Sequence, residues 1–174
     1  MKKLLILLYF AVLLPLSCSE FYDNDTDKFH QKISDWQYRE RMCDNVNLNF
    51  SALESAVNWV SSNKKSVSEK GDYWQSSCET LSNAQEGDCE DTTIFLWRVL
   101  EENFLAADQN RIAILWNRYL EAYHATNIIY ANSKCYIIDA SRISPQKIFD
   151  ANIYLDKFSM DLIIEFNLES VWRY

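Results

Sequence analysis

Three residues in this sequence could carry out covalent chemistry together: Cys89, His124 and Asp139. Cys89 stands in Gly87-Asp88-Cys89-Glu90-Asp91, directly ahead of the apolar segment Thr92 to Leu100, and Gly87 is one of only two glycines in the chain. A thiol beside an imidazole whose far nitrogen is held by a carboxylate suits nucleophilic catalysis. The imidazole takes the thiol proton and later returns it to the leaving group, while the carboxylate fixes the tautomer. A helix starting at the cysteine would add partial positive charge and unpaired N–H groups, which favour a thiolate and can receive an oxyanion. Of the two histidines, His30 falls in an amphipathic stretch near the N-terminus, where an isolated histidine is usually a surface or structural residue.

The pairing of His124 with Asp139 follows from hairpin arithmetic. Strand-like segments run from Tyr123 to Tyr130 and from Lys134 to Asp139. A turn centred between Ala131 and Asn132 sets His124 directly across from Asp139. A turn centred between Asn132 and Ser133 makes them diagonal neighbours within side-chain reach. Both registers keep the two residues on one face, and only a three-residue loop would separate them.

The acids around the thiol work against a thiolate, since negative charge disfavours it. Two readings of them stand side by side. Asp88 is a natural N-cap with Asp91 closing a capping box, and Glu90 complements the helix dipole. Alternatively, the oxygens hold a calcium ion whose charge reverses the local penalty.

The elements that must position these residues can be read from periodicity. Phe29, Ile33 and Trp36 recur at helical spacing within Lys28 to Met42. A second helix is expected at Ser51, where Ser51 and Glu54 form a capping-box pair ahead of Leu53, Ala56, Val57 and Val60. Ser61 to Gly71 reads as an exposed connection. The segment from Glu90 to Phe104 is apolar nearly all round, so it should be a buried helix. Strands follow at Arg111 to Trp116, in the hairpin, and at Leu162 to Phe166, with Pro145 marking a turn. Helices first and strands afterwards make an α+β chain.

At 174 residues with 48% hydrophobic and 24% charged residues, the chain has one domain with a substantial core. Its formal charge is −8, and no basic patch suits it to nucleic acid. Residues 1–18 have the layout of an export signal: Lys2 and Lys3, the apolar run Leu4 to Leu14, then Pro15-Leu16-Ser17-Cys18. The apolar run is too short to span a bilayer, which takes about 20 residues. The Leu-Ser-Cys ending resembles a bacterial lipobox, which makes Cys18 a lipidation site and implies a lipid-anchored envelope protein. Residues 19–27 read as a tether ahead of the domain at 28–174. In an exported protein, Cys43, Cys78 and Cys135 allow one disulfide with three possible pairings. Cys135, alternating with Ile137, suits a buried small hydrophobe. The cysteines lack zinc-site spacing, and no organic cofactor is implied.

The text Asp72-Tyr73-Trp74, Glu79, Leu81, Gly87-Asp88-Cys89-Glu90-Asp91, His124 and Ile137-Ile138-Asp139 resembles the bacterial transglutaminase-like cysteine proteinases of the papain-related superfamily. The match spans about residues 56–141, in the family's order. The resemblance implies a transglutaminase-like or papain-like core, with N-terminal helices and a buried central helix on an antiparallel sheet. It makes Cys89, His124 and Asp139 a triad, Trp74 a cleft or oxyanion-hole residue, and Asp88 and Glu90 calcium ligands. It also implies an exported endopeptidase acting on a protein or peptide of the envelope. The same triad could instead run acyl transfer or amide hydrolysis of a cell-wall peptide, or the fold could serve a binding lipoprotein. Ser76-Ser77, Thr92 and Ala140 depart from the family's pattern at positions bearing on the substrate cleft.

Overall fold

The computed structural model describes residues 23–67 and 73–174, with side chains from residue 27. The signal at 1–18, Cys18, Gly71 and Asp72 lie outside the described residues. Helix α1 (Asp23–Arg41) buries Phe29, Ile33 and Trp36, the residues whose spacing predicts it. It begins inside the expected tether at 19–27, because apolar periodicity starts only at Phe29 and an opening helical turn needs no apolar residue. Helix α2 (Leu53–Asn63) has Ala52 at its N-cap and no side-chain cap, so the expected Ser51–Glu54 box does not form. The stretch after α2 is not a plain connection either. Strand β1 (Lys65–Ser66) pairs in parallel with β2 (Glu86–Gly87), on either side of the short helix α3 (Ser77–Ser82).

Helix α4 (Cys89–Asn103) is the buried central helix, with Ile94, Phe95, Leu96, Trp97, Val99 and Leu100 wholly inside. It packs on a six-stranded antiparallel sheet of order β6-β5-β4-β3-β7-β8. The strands are β3 (Asn110–Asn117), β4 (Ala122–Ala131), β5 (Lys134–Ile138), β6 (Ile148–Asp150), β7 (Met160–Phe166) and β8 (Val171–Arg173). Helix α5 (Ala151–Phe158), between β6 and β7, covers the other face through Tyr154, which packs with Leu115, Ile128 and Ile137. The fold is α+β, as the order of elements predicts.

Polar side chains tie α4 to the sheet. Thr93 Oγ1 donates to the Ala125 carbonyl at 3.1 Å, and Asn127 Nδ2 donates to the Thr93 carbonyl at 3.1 Å. Further along, Asn110 Nδ2 donates to the Trp97 carbonyl at 2.9 Å. Buried amides and hydroxyls bind only where partners meet them, so these bonds fix the height of α4 against β4. Cys43 and Cys78 form the disulfide, joining the end of α1 to α3, while Cys89 and Cys135 are free. Cys135 is half-buried rather than fully enclosed.

Candidate active site

Gly87 and Asp88 deliver the thiol. A Cβ on Gly87 would lie 2.4 Å from Asp91 Oδ2, so only glycine leaves room for the carboxylate. Asp88 is the N-cap of α4, and its N–H donates to Asp91 Oδ2 at 3.3 Å in a capping-box arrangement. The same buried carboxylate accepts from the Gln75 N–H at 2.7 Å and from Gln75 Nε2 at 3.1 Å. Asp91 thus ties the Trp74-Gln75 segment to the start of the helix and holds Trp74 beside Cys89. The Trp74 ring is buried and stacks on Phe166 at 5.6 Å between centres. It therefore packs in the core and also lines the cleft at the thiol.

The hairpin has the second of the two allowed registers. Ala131 pairs with Lys134 and Asn127 with Ile138, so His124 and Asp139 are diagonal neighbours. Asn132 and Ser133 have φ of 51° and 60°, the left-handed pair that a two-residue hairpin turn with the strands' own twist requires. His124 Nε2 lies 3.0 Å from Asp139 Oδ2.

Asp139 is fully buried and has two further partners. Tyr154 Oη of α5 donates to its Oδ2 at 2.6 Å, and Ser141 Oγ donates to its Oδ1 at 2.7 Å. Burial alone would raise this carboxyl, but the bonds from His124, Tyr154 and Ser141 and the nearby imidazole hold it at about 2. Tyr154 and Ser141 escape the sequence reading. A tyrosine fifteen residues beyond Asp139 carries no signal until α5 folds back over the sheet.

Cys89, His124, Trp74 and Glu90 line one narrow cleft of about 70 Å³, walled by Lys28 and Phe29 of α1. That volume is about two waters' worth. Here the Cys89 thiol donates to Glu90 Oε2 at 3.2 Å. Burial, the Glu90 carboxylate and Asp88 all push the thiol upward, against an opposing bond from the Ala125 N–H. Glu90 is itself pushed up to about 8 by burial and by the Asp88 carboxyl. Buried Asp88 Oδ1 has no hydrogen-bond partner among the described residues. Two crowded carboxylates with an unpartnered oxygen suit a hard cation, and a calcium shell of 6–8 oxygens would draw the rest from carbonyls and water. No group of three or more His, Cys, Asp or Glu side chains suited to a metal occurs among the described residues. Lys32 of α1, with Nζ 5.8 Å from the centre of the Trp74 ring, also directs positive charge toward Glu90 and Asp88. His30 lies away from this cluster, against Arg173.

No protein-family model matches the chain, and no curated protein matches it in sequence. Among solved structures, Legionella pneumophila LapG superposes with a TM-score of 0.59 at 20% identity, over 81% of this chain and 87% of that one. A calcium-bound form of LapG gives 0.57 at 23% identity over 87% and 81% of the two chains, and an EGTA-treated form gives 0.57 at 21% over 81% and 84%. The chain shares its fold with these LapG structures.

Proposed function

We propose that the chain is an exported thiol endopeptidase with Cys89 as nucleophile, His124 as general base and acid, and Asp139 as the group that holds the imidazole. The observation that carries this reading is the 3.0 Å contact of His124 Nε2 with the buried Asp139 carboxylate, beside a cleft that His124 shares with Cys89. With Nε2 engaged, Nδ1 is the nitrogen left for the thiol.

In the reaction, His124 Nδ1 takes the thiol proton as Sγ attacks the scissile carbonyl. The N–H groups at the start of α4 receive the oxyanion, with Trp74 as the wall of the cleft. The C–N bond breaks as His124 returns the proton to the leaving amine. Water, deprotonated by the same imidazole, then cleaves the thioester and restores the thiol. Because burial and Glu90 push the resting thiol upward, its proton passes to His124 as Sγ attacks, whether the electrophile is the substrate or a thiol-directed probe.

Asp88 and Glu90 would hold a calcium ion here, as the calcium-bound form of the LapG relative suggests. When bound, its charge would offset the carboxylates that oppose the thiolate. Cleavage of the signal just before Cys18 and lipidation of Cys18 would leave the domain in the cell envelope, where its substrate is a protein.

The test is labelling with a thiol-directed active-site probe near neutral pH. The expected result is rapid modification of Cys89, lost in Cys89→Ala, with half-buried Cys135 reacting slowly. Equal labelling of wild type and Cys89→Ala would overturn the assignment.

A further inference from the structure

The reacting centre opens on one side into a basic track. His124 lines the narrow cleft at Cys89 and also a second cleft of about 340 Å³, bounded by Leu120, Ser141, Arg142 and Phe158. Arg142 lines that second cleft and also a third, of about 460 Å³, with Ser61, Lys64, Ile143 and Lys147. The shared residues set the three spaces next to one another in sequence, from Cys89 past His124 and Arg142 to Lys64 and Lys147.

The charge on this path runs against that of the molecule. In a chain of formal charge −8, the third cleft has Lys64, Arg142 and Lys147 on its walls and no carboxylate. None of the three cations forms an ion pair with a carboxylate among the described residues. Lys64 Nζ donates to the Ser141 carbonyl and Lys147 Nζ to the Arg142 carbonyl. An ammonium has three donors, so each keeps others for a ligand. The Arg142 guanidinium lies 3.6 Å from the centre of the Phe158 ring, which fixes its plane. Asp139 does not account for the cluster, because His124, Tyr154 and Ser141 already hold its two oxygens. Burial lowers both lysines, with repulsion from Lys147 at Lys64 and from Arg142 at Lys147, while Asp139 attracts both through space without forming an ion pair with either. Glu54 lines the adjoining cleft, which also has Lys147 on its wall.

Which half of a substrate lies here follows from the proton's route. His124 must reach the leaving amine, so the leaving half passes over the imidazole into the second cleft. We propose that the track from His124 through Arg142 to Lys64 and Lys147 binds an acidic peptide segment on the leaving-group side of the scissile bond. This rests on the endopeptidase reading, while its test does not depend on turnover.

The experiment uses the full chain carrying Cys89→Ala and three acetylated, amidated peptides: Gly-Ser-Asp-Asp-Gly, Gly-Ser-Asn-Asn-Gly and Gly-Ser-Lys-Lys-Gly. Binding is followed by NMR shift titration. The acidic peptide binds about tenfold or more tightly than the neutral one, the factor a single charge-assisted contact supplies. Salt weakens it, and the basic peptide binds least. In Arg142→Gln/Lys147→Gln the ratio of acidic to neutral affinity falls toward one, whatever the absolute affinities. Equal binding of the three peptides to the unmutated track overturns the proposal, and so does a preference that survives in the folded double variant. The three-peptide comparison decides even if that variant fails to fold. Failure of Cys89 to take the thiol probe would overturn the peptidase reading separately.

Discussion

Replacing Tyr154 with phenylalanine removes one buried hydroxyl and leaves the ring that packs 5.2 Å from Phe149 and 4.8 Å from Phe158, centre to centre. The hydroxyl donates at 2.6 Å to the Asp139 oxygen that also meets His124. A hydrogen bond to a buried charge contributes about 1.5–3 kcal/mol. The combined effect of His124, Tyr154 and Ser141 is seen in the carboxyl itself, held at about 2 against an ordinary 3.8. At about 1.36 kcal/mol per pH unit, that depression amounts to about 2 kcal/mol of folded-state stability. A carboxyl depressed in the folded state gives stability that is fully present above its ordinary value and is lost as pH falls through about 2. His124 contributes more to the depression than Tyr154 does, so Tyr154→Phe returns the carboxyl part of the way toward 3.8 and removes a share of that pH-dependent part. Urea unfolding followed by tryptophan fluorescence should show a deficit of about 2 kcal/mol at pH 7 and pH 5. Between pH 4 and pH 2 the deficit narrows to about 1 kcal/mol, the worth of a neutral hydrogen bond. A deficit below about 0.5 kcal/mol at pH 7, or one that stays constant down to pH 2, would refute the reasoning.

Other outcomes follow from the same geometry. Gly87→Ala drives a Cβ into the Asp91 carboxylate and should destabilise the chain by about 1–3 kcal/mol, with thiol-probe labelling slowed, both read on one purified sample. The Cys43–Cys78 bridge spans 35 residues, so Cys43→Ser/Cys78→Ser should lose about 4 kcal/mol on the loop-closure relation, measured by urea unfolding against the oxidised parent. Calcium should raise the melting temperature and speed alkylation of Cys89, and a chelator should reverse both. Neither response should occur in Asp88→Asn/Glu90→Gln, and labelling indifferent to the chelator would remove the ion from the account.

The placement of the candidate site residues was the part most legible in sequence, because local rules govern it. A glycine, an acidic cap and an apolar run define the start of α4, and two-residue hairpin geometry restricts His124 and Asp139 to one face. Local signals also misled. Ser51 and Glu54 have the spacing of a capping box, yet α2 starts at Leu53 under Ala52, because packing of Val57 and Val60 rather than the cap sets its register. Helices α3 and α5 were not anticipated, since six and eight residues are too few for periodicity to declare itself.

By itself, then, the sequence determined the candidate nucleophile, its helix and a restricted pairing of imidazole with carboxylate, all properties of neighbours along the chain. Tertiary structure decided which of two registers the hairpin took and which cysteines joined. It also brought Tyr154 and Ser141 onto Asp139, and set Lys64, Arg142 and Lys147 around one cleft in an acidic protein. Those outcomes depend on segments far apart in the chain meeting across the sheet, where burial strengthens each hydrogen bond and charge, and no local pattern encodes that meeting.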